Sequence, residues 1–379
     1  MTTVLVINSG SSSLKCKVID TDSGDVKLNG HVDGIGIDSC KVKIDNLEES
    51  RQIKDHTEAI NVIMGHVDKT SLDAVGHRVV HGGEKYAKTV EIDDKVIETI
   101  RELSSLAPLH NPANLQGILA CRKVLGDLPQ VAVFDTAFHQ TIPEHAYLYG
   151  VPKTYYEVHG VRKYGFHGTS HKFVAFKARE KLDLESANLI TCHIGNGSSI
   201  TAINDNKSID TSMGFTPMPG VVMGTRCGDL DPGVIGFLQD HLHMDCDGIM
   251  HLLNKKSGLF GLAGSSDMRD LHAREREGDA DARKAIDKLA YGIAGYIGSY
   301  LNKLGRVDGI IFTAGLGENA FYLRRRVFEF IPGAGITLDD DKNAANEEVV
   351  SSPDSVIPVL VIPTDEELQI ALETRHLLS

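Results

Sequence analysis

The chain has 379 residues, enough for two domains with separate hydrophobic cores, and it carries a formal net charge of −13. This acidic balance argues against a nucleic-acid-binding or anionic-membrane surface, because both need basic patches. Any anionic ligand must therefore be held by a few local cations and backbone N–H groups.

The N-terminus and the cysteines predict a cytoplasmic protein. No basic segment followed by an apolar core opens the chain, so we expect no targeting segment. The most apolar long segment, residues 285–304, is interrupted by Asp287, Lys288 and Lys303, which excludes it as a membrane span. The six cysteines are scattered without a CxxC pair. This favours free thiols over a disulfide framework or a zinc site.

The chain begins with a predicted β-hairpin, in which an apolar run from Val4 leads to a Gly10-Ser11-Ser12 tip and an alternating run ends at Asp20. Hydrophobic periodicity then predicts two strands, a helix and a third strand, over residues 26–32, 39–44, 55–67 and 74–80. The last of these carries Arg78. A buried cation needs an anion, so Arg78 either faces a ligand or meets a carboxylate. The strand pattern leaves both possibilities open.

Two helices and a short buried strand follow, over residues 93–106, 113–125 and 131–134. Strands first, then alternating helices and strands, favour a mixed-sheet α/β domain. Asn111 before Pro112 is typical of an N-cap with proline at the first helical position. Asp135 comes directly after the buried strand, where α/β folds bind ligands, although a turn or cap residue is an equal alternative. We place the crossover to a second domain near Gly150.

The second domain opens with a predicted helix that starts near His167 and His171. Their spacing could ligate zinc, but Gly168 stands where a zinc hydrolase needs a glutamate. We therefore interpret a histidine at this helix start as a hydrogen-bond donor.

A hairpin with the same layout as the first is predicted over residues 188–205. Gly195 and Gly197 at its tip can take φ > 0 and carry no Cβ, so backbone N–H groups could lie against a phosphate. An ordinary tight turn is the alternative. The two tips lie about half the chain length apart, which predicts two related domains that each offer one loop to a shared cleft.

A long irregular segment, residues 210–233, has Arg226 as its only cation. Long Gly- and Pro-rich loops inside compact domains tend to be functional. Helical and strand patterns resume over residues 234–253, 265–269 (a helix cap), 280–304, 310–312 and 359–362. A glycine turn after residues 310–312 offers a second place for a nucleotide. Thr364 and Glu367 fit a capping box, which leaves Glu366 free for another role.

Eight ordered segments resemble the acetate kinase family: NSGSSSLK from Asn8, GHRVVHGGE from Gly76, PLHNP from Pro108, VFDTAFH from Val133, YGFHGTSH from Tyr164, HIGNGSS from His193, MGTRCGD from Met223 and AGLGEN from Ala314. The resemblance runs from residue 3 to the final helix. Two positions depart from the family pattern, because Cys227 stands where serine is usual and Asp365 where asparagine is usual. Cys227 would place an oxidant-sensitive thiol beside Arg226.

The resemblance implies an α/β fold of two duplicated actin-like (ribonuclease H-like) domains with mixed sheets and an interdomain cleft. The N-terminal actin-like domain would span residues 1–150, with the helix at 365–379 packing back on it. Residues 151–364 would form the C-terminal actin-like domain, which binds the nucleotide and dimerises. The implied activity is reversible transfer of the γ-phosphate of ATP to acetate, giving acetyl phosphate and ADP. Mg²⁺, replaceable by Mn²⁺, and a homodimer complete the expectation.

The resemblance also implies site residues. Catalytic roles fall to Arg78, Asp135, His167 and Arg226. Substrate contacts fall to Arg78, Val80, Leu109, His110, Phe166 and Pro217, and the magnesium site to Asn8 and Glu366. The implied ATP contacts are Ser11, Ser13, Lys15, His193, Ile194, Gly195, Asn196, Gly197, Asp267, Met268, Arg269, Gly315, Leu316, Gly317, Glu318 and Asn319.

The charges of the reactants indicate the mechanism. Acetate is already ionised at pH 7, so its attack on a phosphate needs no general base, and the obstacle is repulsion between two anions. Two arginines, a histidine and Mg²⁺ would lower that barrier. Asp135 is described in the family as proton carrier or as magnesium organiser, and the second role suits this chemistry better.

Three alternatives remain. Propionate or another short carboxylate could be the acceptor, since one methylene in an apolar pocket is worth only about 1–3 kcal/mol. An ATP-dependent conformational protein of the same superfold would have no use for two arginines in a small pocket. A serine acyl enzyme is formally suggested by the SxxK pattern at Ser12, but its companion SDN and KTG motifs are absent.

Overall fold

The computed structural model describes residues 2–379, which divide into two compact units. Unit 1 contains the residues up to Gln140 together with the C-terminal segment Asp365–Ser379, and unit 2 spans Thr141–Thr364. Within residues 2–379 no helix is long and apolar enough to cross a membrane.

Unit 1 is built on an eight-stranded mixed sheet. Its strands are β1 (Thr3–Ser9), β2 (Ser13–Asp20), β3 (Val26–Asp33), β4 (Cys40–Ile44), β5 (Leu47–Arg51), β6 (Ala74–Val79), β7 (Val90–Glu91) and β8 (Gln130–Phe134), in the order β5-β4-β3-β2-β1-β6-β8-β7. The predicted first hairpin is confirmed, because β1 and β2 pair antiparallel with Asn8 opposite Lys15. Strands β1, β6 and β8 run parallel, so their carboxyl ends meet at one edge of the sheet. The fully exposed strand β5 was not predicted, since its charged residues lack an apolar face.

The sheet of unit 1 is covered on both faces. Helices α1 (His56–Met64), α2 (Asp94–Glu102) and α3 (Asn111–Leu125) follow in the chain, and the C-terminal helix spans Glu366–Leu378. Alternate residues of β1 point to opposite faces. Leu5 shares a core with Ile60 of α1, whereas Val4 shares one with Ile370 of the C-terminal helix.

Unit 2 repeats the central topology of unit 1. Its strands are β9 (Leu189–Ile194), β10 (Ser198–Asn204), β11 (Lys207–Thr211), β12 (Gly309–Thr313) and β13 (Val359–Val361), in the order β11-β10-β9-β12-β13. The predicted second hairpin is confirmed by antiparallel pairing of Ser198 with Ile194. The order matches β3-β2-β1-β6-β8 strand for strand, with two antiparallel and two parallel pairings in each unit. The predicted duplication is therefore confirmed at the level of topology.

The helices of unit 2 include one long helix, against which three of the others pack. They are α4 (Glu144–Tyr147), α5 (Thr154–His159), α6 (Gly168–Lys181), α7 (Pro232–Leu242), α8 (Cys246–Lys255), α9 (Gly258–Ala263), α10 (Met268–Arg276), α11 (Ala280–Leu304), α12 (Ala314–Asn319), α13 (Phe321–Glu329) and α14 (Asp340–Ala344). Asp279 caps α11 by accepting from two backbone N–H groups, and the apolar stripe of α11 fills the main core. The helical pattern of residues 234–253 is two helices, because His243 takes a left-handed conformation with φ 53°.

Two predicted helix caps are wrong. Asn111 does not cap α3, because its amide oxygen accepts from the N–H of His81 at 3.0 Å. At the C-terminal helix, Asp365 is the cap and accepts from the N–H of Leu368. The hydroxyl of Thr364 instead bonds to Ser170 at 2.8 Å.

Candidate active site

A charged cluster lies at the carboxyl edge of the parallel strands of unit 1. Arg78, on β6, donates Nη2 to Oδ2 of Asp135 at 2.6 Å and Nε to Oδ1 at 3.3 Å. Asp135 directly follows β8 and is almost fully buried. The amide oxygen of Asn8, near the end of β1, accepts from Nη1 of Arg78 at 3.4 Å. Of the two possibilities for Arg78, the structure shows the carboxylate pair, with a bidentate geometry that fixes the guanidinium plane.

Glu366 brings a second carboxylate to this cluster. It lies in the first turn of the C-terminal helix, and its Oε2 is 3.7 Å from Nε of Arg78. The pKa of Glu366 is raised to about 7. Burial is the main cause, and repulsion from Asp135, Glu367 and Asp365 also raises the pKa, whereas the attraction of Arg78 lowers it. For Arg78, burial lowers the pKa, but the carboxylates of Asp135 and Glu366 outweigh it and raise the pKa overall. The cluster is short of positive charge.

That shortage suits a divalent cation. Within residues 2–379 no three His, Cys, Asp or Glu side chains are placed to hold a metal ion. Mg²⁺ does not need such a cage, because it keeps several waters and binds through one or two carboxylates together with substrate phosphates. The oxygens of Asn8, Asp135 and Glu366 are of the type that Mg²⁺ prefers.

Two asparagines that the sequence did not assign to the site shape this edge. Asn114 accepts from the N–H of Val80 at 3.0 Å and donates to the carbonyl of Ser9 at 2.8 Å, which ties the ends of β6 and β1 together. Asn111 similarly bonds to both the N–H and the carbonyl of His81. An asparagine in the first turn of a helix looks like a capping residue in sequence, so nothing in the pattern could reveal these roles.

The remaining predicted residues of unit 1 differ in exposure. Val80 is buried, whereas Leu109 is 71% exposed and His110 is half-buried. At the first hairpin tip Ser11 and Lys15 are exposed and Ser13 is half-buried.

In unit 2, histidines and hydroxyls gather beside the second hairpin. His167, with a left-handed φ of 55°, shares a hydrogen bond of 3.0 Å between Nδ1 and Oγ of Ser199. Its ring stacks on that of His193 at a centroid distance of 4.1 Å, and Ser170 holds Nδ1 of His193 at 2.8 Å. Both ring nitrogens of His171 bond to hydroxyls, on Thr191 and Ser199. These bonds fix the orientation of the His167 ring.

Arg226 lies next to this group and has no counter-ion. Its Nη1 donates to the carbonyl of Pro217 at 3.0 Å and approaches Sδ of Met223 at 3.7 Å, and no carboxylate of residues 2–379 pairs with it. Burial lowers its pKa. A partly buried guanidinium held only by uncharged acceptors keeps its charge available for an anion.

Of the two properties predicted to matter for glycine at the second hairpin tip, positive φ and the missing Cβ, the structure shows only the second. Neither Gly195 nor Gly197 has a positive φ. A Cβ on Gly197 would instead lie 3.3 Å from Nη1 of Arg226 and 3.3 Å from Nε2 of His167. The tip therefore lets a backbone approach the side chains of Arg226 and His167 closely.

A cavity of about 630 Å³ opens beside the hairpin tip in unit 2. It is lined by Gly195, Asn196, Gly224, Leu259, Ser266, Asp267, Met268, Arg269, Gly315, Leu316, Asn319, Ala320 and Tyr322. Eight of these are among the sixteen residues predicted to contact ATP. The size is within the range of small-ligand sites, and apolar walls with a few polar groups suit a nucleotide.

The cavity wall also contains residues that the sequence did not reveal. Tyr322 donates its hydroxyl to the carbonyl of Met268 at 3.1 Å, and its ring stacks on His272 at 3.6 Å. Tyr322 and Gly224 belong to segments far apart in sequence, so only the fold brings them together. Asp267, as predicted, caps a helix, α10, and it also pairs with Arg269 at 2.7 Å.

Several predicted residues lie outside this lining. His193, Ile194 and Gly197 belong to the hairpin, and Gly317 packs on β12. Glu318 accepts from the N–H of Ala314 at 2.8 Å and from that of Thr364 at 3.2 Å, so its carboxylate holds the turn that carries Gly315. Phe166 is buried and Pro217 half-buried.

Cys227 does not have the environment of a reactive thiol. Burial raises its pKa, and Sγ contacts the carbonyl of Gly228 at 3.2 Å. The expected oxidant sensitivity is not supported, because a reactive cysteine needs a lowered pKa.

Comparison with known proteins identifies full-length relatives. The model of the acetokinase family matches residues 3–372. The acetate kinase of Carboxydothermus hydrogenoformans is 45% identical over 392 residues, covering 99% of this chain and 98% of that protein. The acetate kinase of Bacillus cytotoxicus is 48% identical, covering 100% and 99%.

Solved structures give the same result. The crystal structure of Porphyromonas gingivalis acetate kinase superposes with a TM-score of 0.95 at 43% identity, covering 100% of both chains. That of a propionate kinase from Francisella tularensis has a TM-score of 0.96 at 39% identity, also covering 100% of both. The predicted fold is thereby confirmed over the whole chain.

Proposed function

This chain belongs to the acetokinase family, and we propose that it transfers the γ-phosphate of ATP reversibly to acetate, giving acetyl phosphate and ADP by direct in-line attack. The single observation that carries the proposal is Arg226, a partly buried cation without a counter-ion beside His167 and the glycine tip. An enzyme that joins two anions needs positive charge that no internal carboxylate neutralises.

His167 and Arg226 stabilise the charge that spreads over the transferring phosphoryl oxygens. Ser199 orients the His167 ring and Pro217 orients the guanidinium, so both donors are set before the reaction and cost little reorganisation. The acetate oxygen attacks as a carboxylate, which needs no proton transfer.

Arg78 binds the acetate carboxylate, and Asp135 keeps Arg78 in place. Both oxygens of Asp135 are engaged by the guanidinium, which supports an organising role and gives no reason to assign it a proton transfer. The chemistry that Mg²⁺ would supply when bound is positive charge that neutralises phosphate oxygens. Asn8 and Glu366 would hold it, with Asp135 ordering its waters.

The acceptor methyl is placed by an apolar set, Val80, Leu109, Phe166 and Pro217, with His110 beside it. ATP binds in the 630 Å³ cavity of unit 2, assisted by Ser11, Ser13 and Lys15 and by the hairpin residues His193, Ile194 and Gly197. Mn²⁺ can replace Mg²⁺, since both are hard cations that favour oxygen ligands.

The enzyme works as a cytoplasmic homodimer, with unit 2 as the dimerisation unit. Helix α7 supports this, because it carries apolar residues but buries none of its residues. The exposed apolar side chains are Val234, Ile235, Phe237 and Leu242, at 37–58%. An apolar helix without a buried face gains little stability alone. Sedimentation equilibrium would test it, and a monomer at micromolar concentration would refute it.

Propionate is the second candidate acceptor, favoured by the likeness to a propionate kinase. A small apolar pocket discriminates one methylene by only about 1–3 kcal/mol, so the two activities differ in degree.

Trapping of the acyl phosphate with hydroxylamine tests the function. With ATP and Mg²⁺, acetate should give acetohydroxamate with kcat/KM above that for propionate, and butyrate should react least. A higher kcat/KM for propionate than for acetate would identify propionate as the preferred substrate. ATP hydrolysis without hydroxamate from any acid would refute the proposal.

A further inference from the structure

The loop that carries Arg226 is closed by Asp229. The N–H of Gly220 donates to Oδ1 of Asp229 at 2.9 Å, and the N–H of Asp229 donates back to the carbonyl of Gly220 at 2.8 Å. This pair of bonds joins the two ends of the segment 220–229. Gly228 lies so close to the opposite strand of the loop that a Cβ would stand 2.6 Å from the carbonyl oxygen of Gly220. The segment 220–229 is therefore tightly closed, and Arg226 is one of its residues.

The second oxygen of Asp229 ties the loop to the core of unit 2. Oδ2 accepts from the hydroxyl of Tyr296 at 2.6 Å. Tyr296 lies on α11, where Ile293 and Ile297 in adjacent turns are fully buried. A charge-assisted hydrogen bond to a residue on a rigid helix fixes the position of the closed loop.

Arg226 depends on this anchoring more than most arginines would. In the part of the chain that the structure describes, no carboxylate holds it, and its guanidinium is oriented by the carbonyl of Pro217, which lies just outside the closed segment. The closure by Gly220 and Asp229, together with the bond from the N–H of Met223 to the carbonyl of Arg226 at 3.1 Å, restrains the distance between Pro217 and Arg226. Asp229 is only three residues from Arg226, yet its two carboxylate oxygens accept from Gly220 and Tyr296. Asp229 therefore does not form an ion pair with Arg226.

We infer that Asp229, held by Tyr296, is a positioning residue that fixes Arg226 and leaves its positive charge available to the transferring phosphate. This inference rests on the role of Arg226 in the proposed function. It predicts that loss of Asp229 acts on turnover through Arg226 and through no other group.

The test compares kcat of D229A in the wild-type and R226A backgrounds by the hydroxamate assay. We expect D229A to lower kcat about tenfold or more, with KM for ATP within about threefold, because a transition-state donor is displaced. In the R226A background the same change should alter kcat by less than about twofold, since residues that act as a unit are not additive. D229N should recover most of the activity, because its amide can still accept from Gly220 and bond to Tyr296.

Asp308→Ala is the matched control. Asp308 is another unit 2 carboxylate that accepts from a backbone N–H, that of Asn188 at 2.8 Å, and pairs with Arg306. Its removal should leave kcat unchanged. An equal fall of kcat for D308A and D229A would assign the effect to general destabilisation and overturn the inference.

Two further outcomes separate the inference from the proposed function. Equal proportional losses from D229A in both backgrounds would overturn the inference alone. An unchanged kcat in R226A would remove the proposed role of Arg226 and the inference with it.

If D229A does not fold, the variant Y296F tests the inference instead, because it keeps the Gly220 closure and removes only the hydrogen bond from Tyr296 to Asp229. Its kcat should fall about threefold or more only when Arg226 is present, and an unchanged kcat would overturn the inference.

Discussion

Replacing Glu366 by glutamine should stabilise the metal-free protein at alkaline pH while abolishing turnover. The pKa of Glu366 is about 7 in the folded protein against an ordinary 4.5, because burial and three neighbouring carboxylates outweigh Arg78. This difference corresponds to about 3 kcal/mol of destabilisation once the carboxyl is ionised. Because the side chain keeps a fifth of its surface exposed, solvent screening reduces this to about 2 kcal/mol.

The pH dependence has a definite sign. Below about pH 4.5 Glu366 is protonated in both the folded and the unfolded state, so it adds no penalty. Between pH 4.5 and 7 the unfolded chain releases this proton while the folded protein retains it, so stability falls as pH rises. Above pH 7 the penalty is complete. Glutamine stays neutral throughout, so the advantage of E366Q over the wild type should be small near pH 5 and largest above pH 8.

Calorimetric Tm values between pH 5 and 9, in EDTA and without nucleotide, would measure this effect. About 2 kcal/mol corresponds to a rise in Tm of roughly 4–8 °C for a unit of this size. Glu102→Gln is the control, because Glu102 is exposed and pairs only with Lys85, so its Tm difference from the wild type should not vary over this range. Equal pH profiles for E366Q and the wild type would refute the reasoning that Glu366 is held in an unfavourable, cation-deficient cluster.

Three changes test the other parts of the site. Arg226→Ala should cut kcat by roughly 10² or more, the scale of one lost transition-state donor, and near-normal turnover would count against its role. Gly224→Ala places a Cβ 2.4 Å from Oδ1 of Asn196 in the cavity wall, so KM for ATP should rise about tenfold; an unchanged KM would move the nucleotide elsewhere. Asp135→Asn should raise the Mg²⁺ concentration needed for half-maximal rate, whereas unchanged magnesium dependence with activity lost only below some pH would favour proton transfer.

The fold was predictable where local periodicity and tertiary packing agree. Both hairpins follow from alternating apolar residues around small polar tips, and the repeat of that layout along the chain predicts the duplication. The long helix α11 was predicted at its observed limits because a continuous apolar stripe of this length has no other stable partner than a core.

The details of loops and caps were not predictable in the same way. Thr364 satisfies the sequence rule for a cap, but its hydroxyl bonds to Ser170, which lies 194 residues earlier. Asp365 then caps the helix. Several residues near a helix start can satisfy the sequence rule for a cap, and contacts with distant residues decide which of them caps the helix.

The two arginines illustrate the same limit on chemistry. Arg78 and Arg226 are both isolated cations in their local sequences, and nothing near either one indicates its partner. Asp135, 57 residues away, neutralises Arg78, while the acceptors of Arg226 within the described residues are a carbonyl and a sulfur. The result is an opposite imbalance in the two clusters. In the proposed mechanism, the excess of carboxylates around Arg78 would attract Mg²⁺, and the unbalanced positive charge of Arg226 would attract a phosphate. A kinase that joins two anions requires both, and the sequence supplies the residues while only the fold decides their pairing.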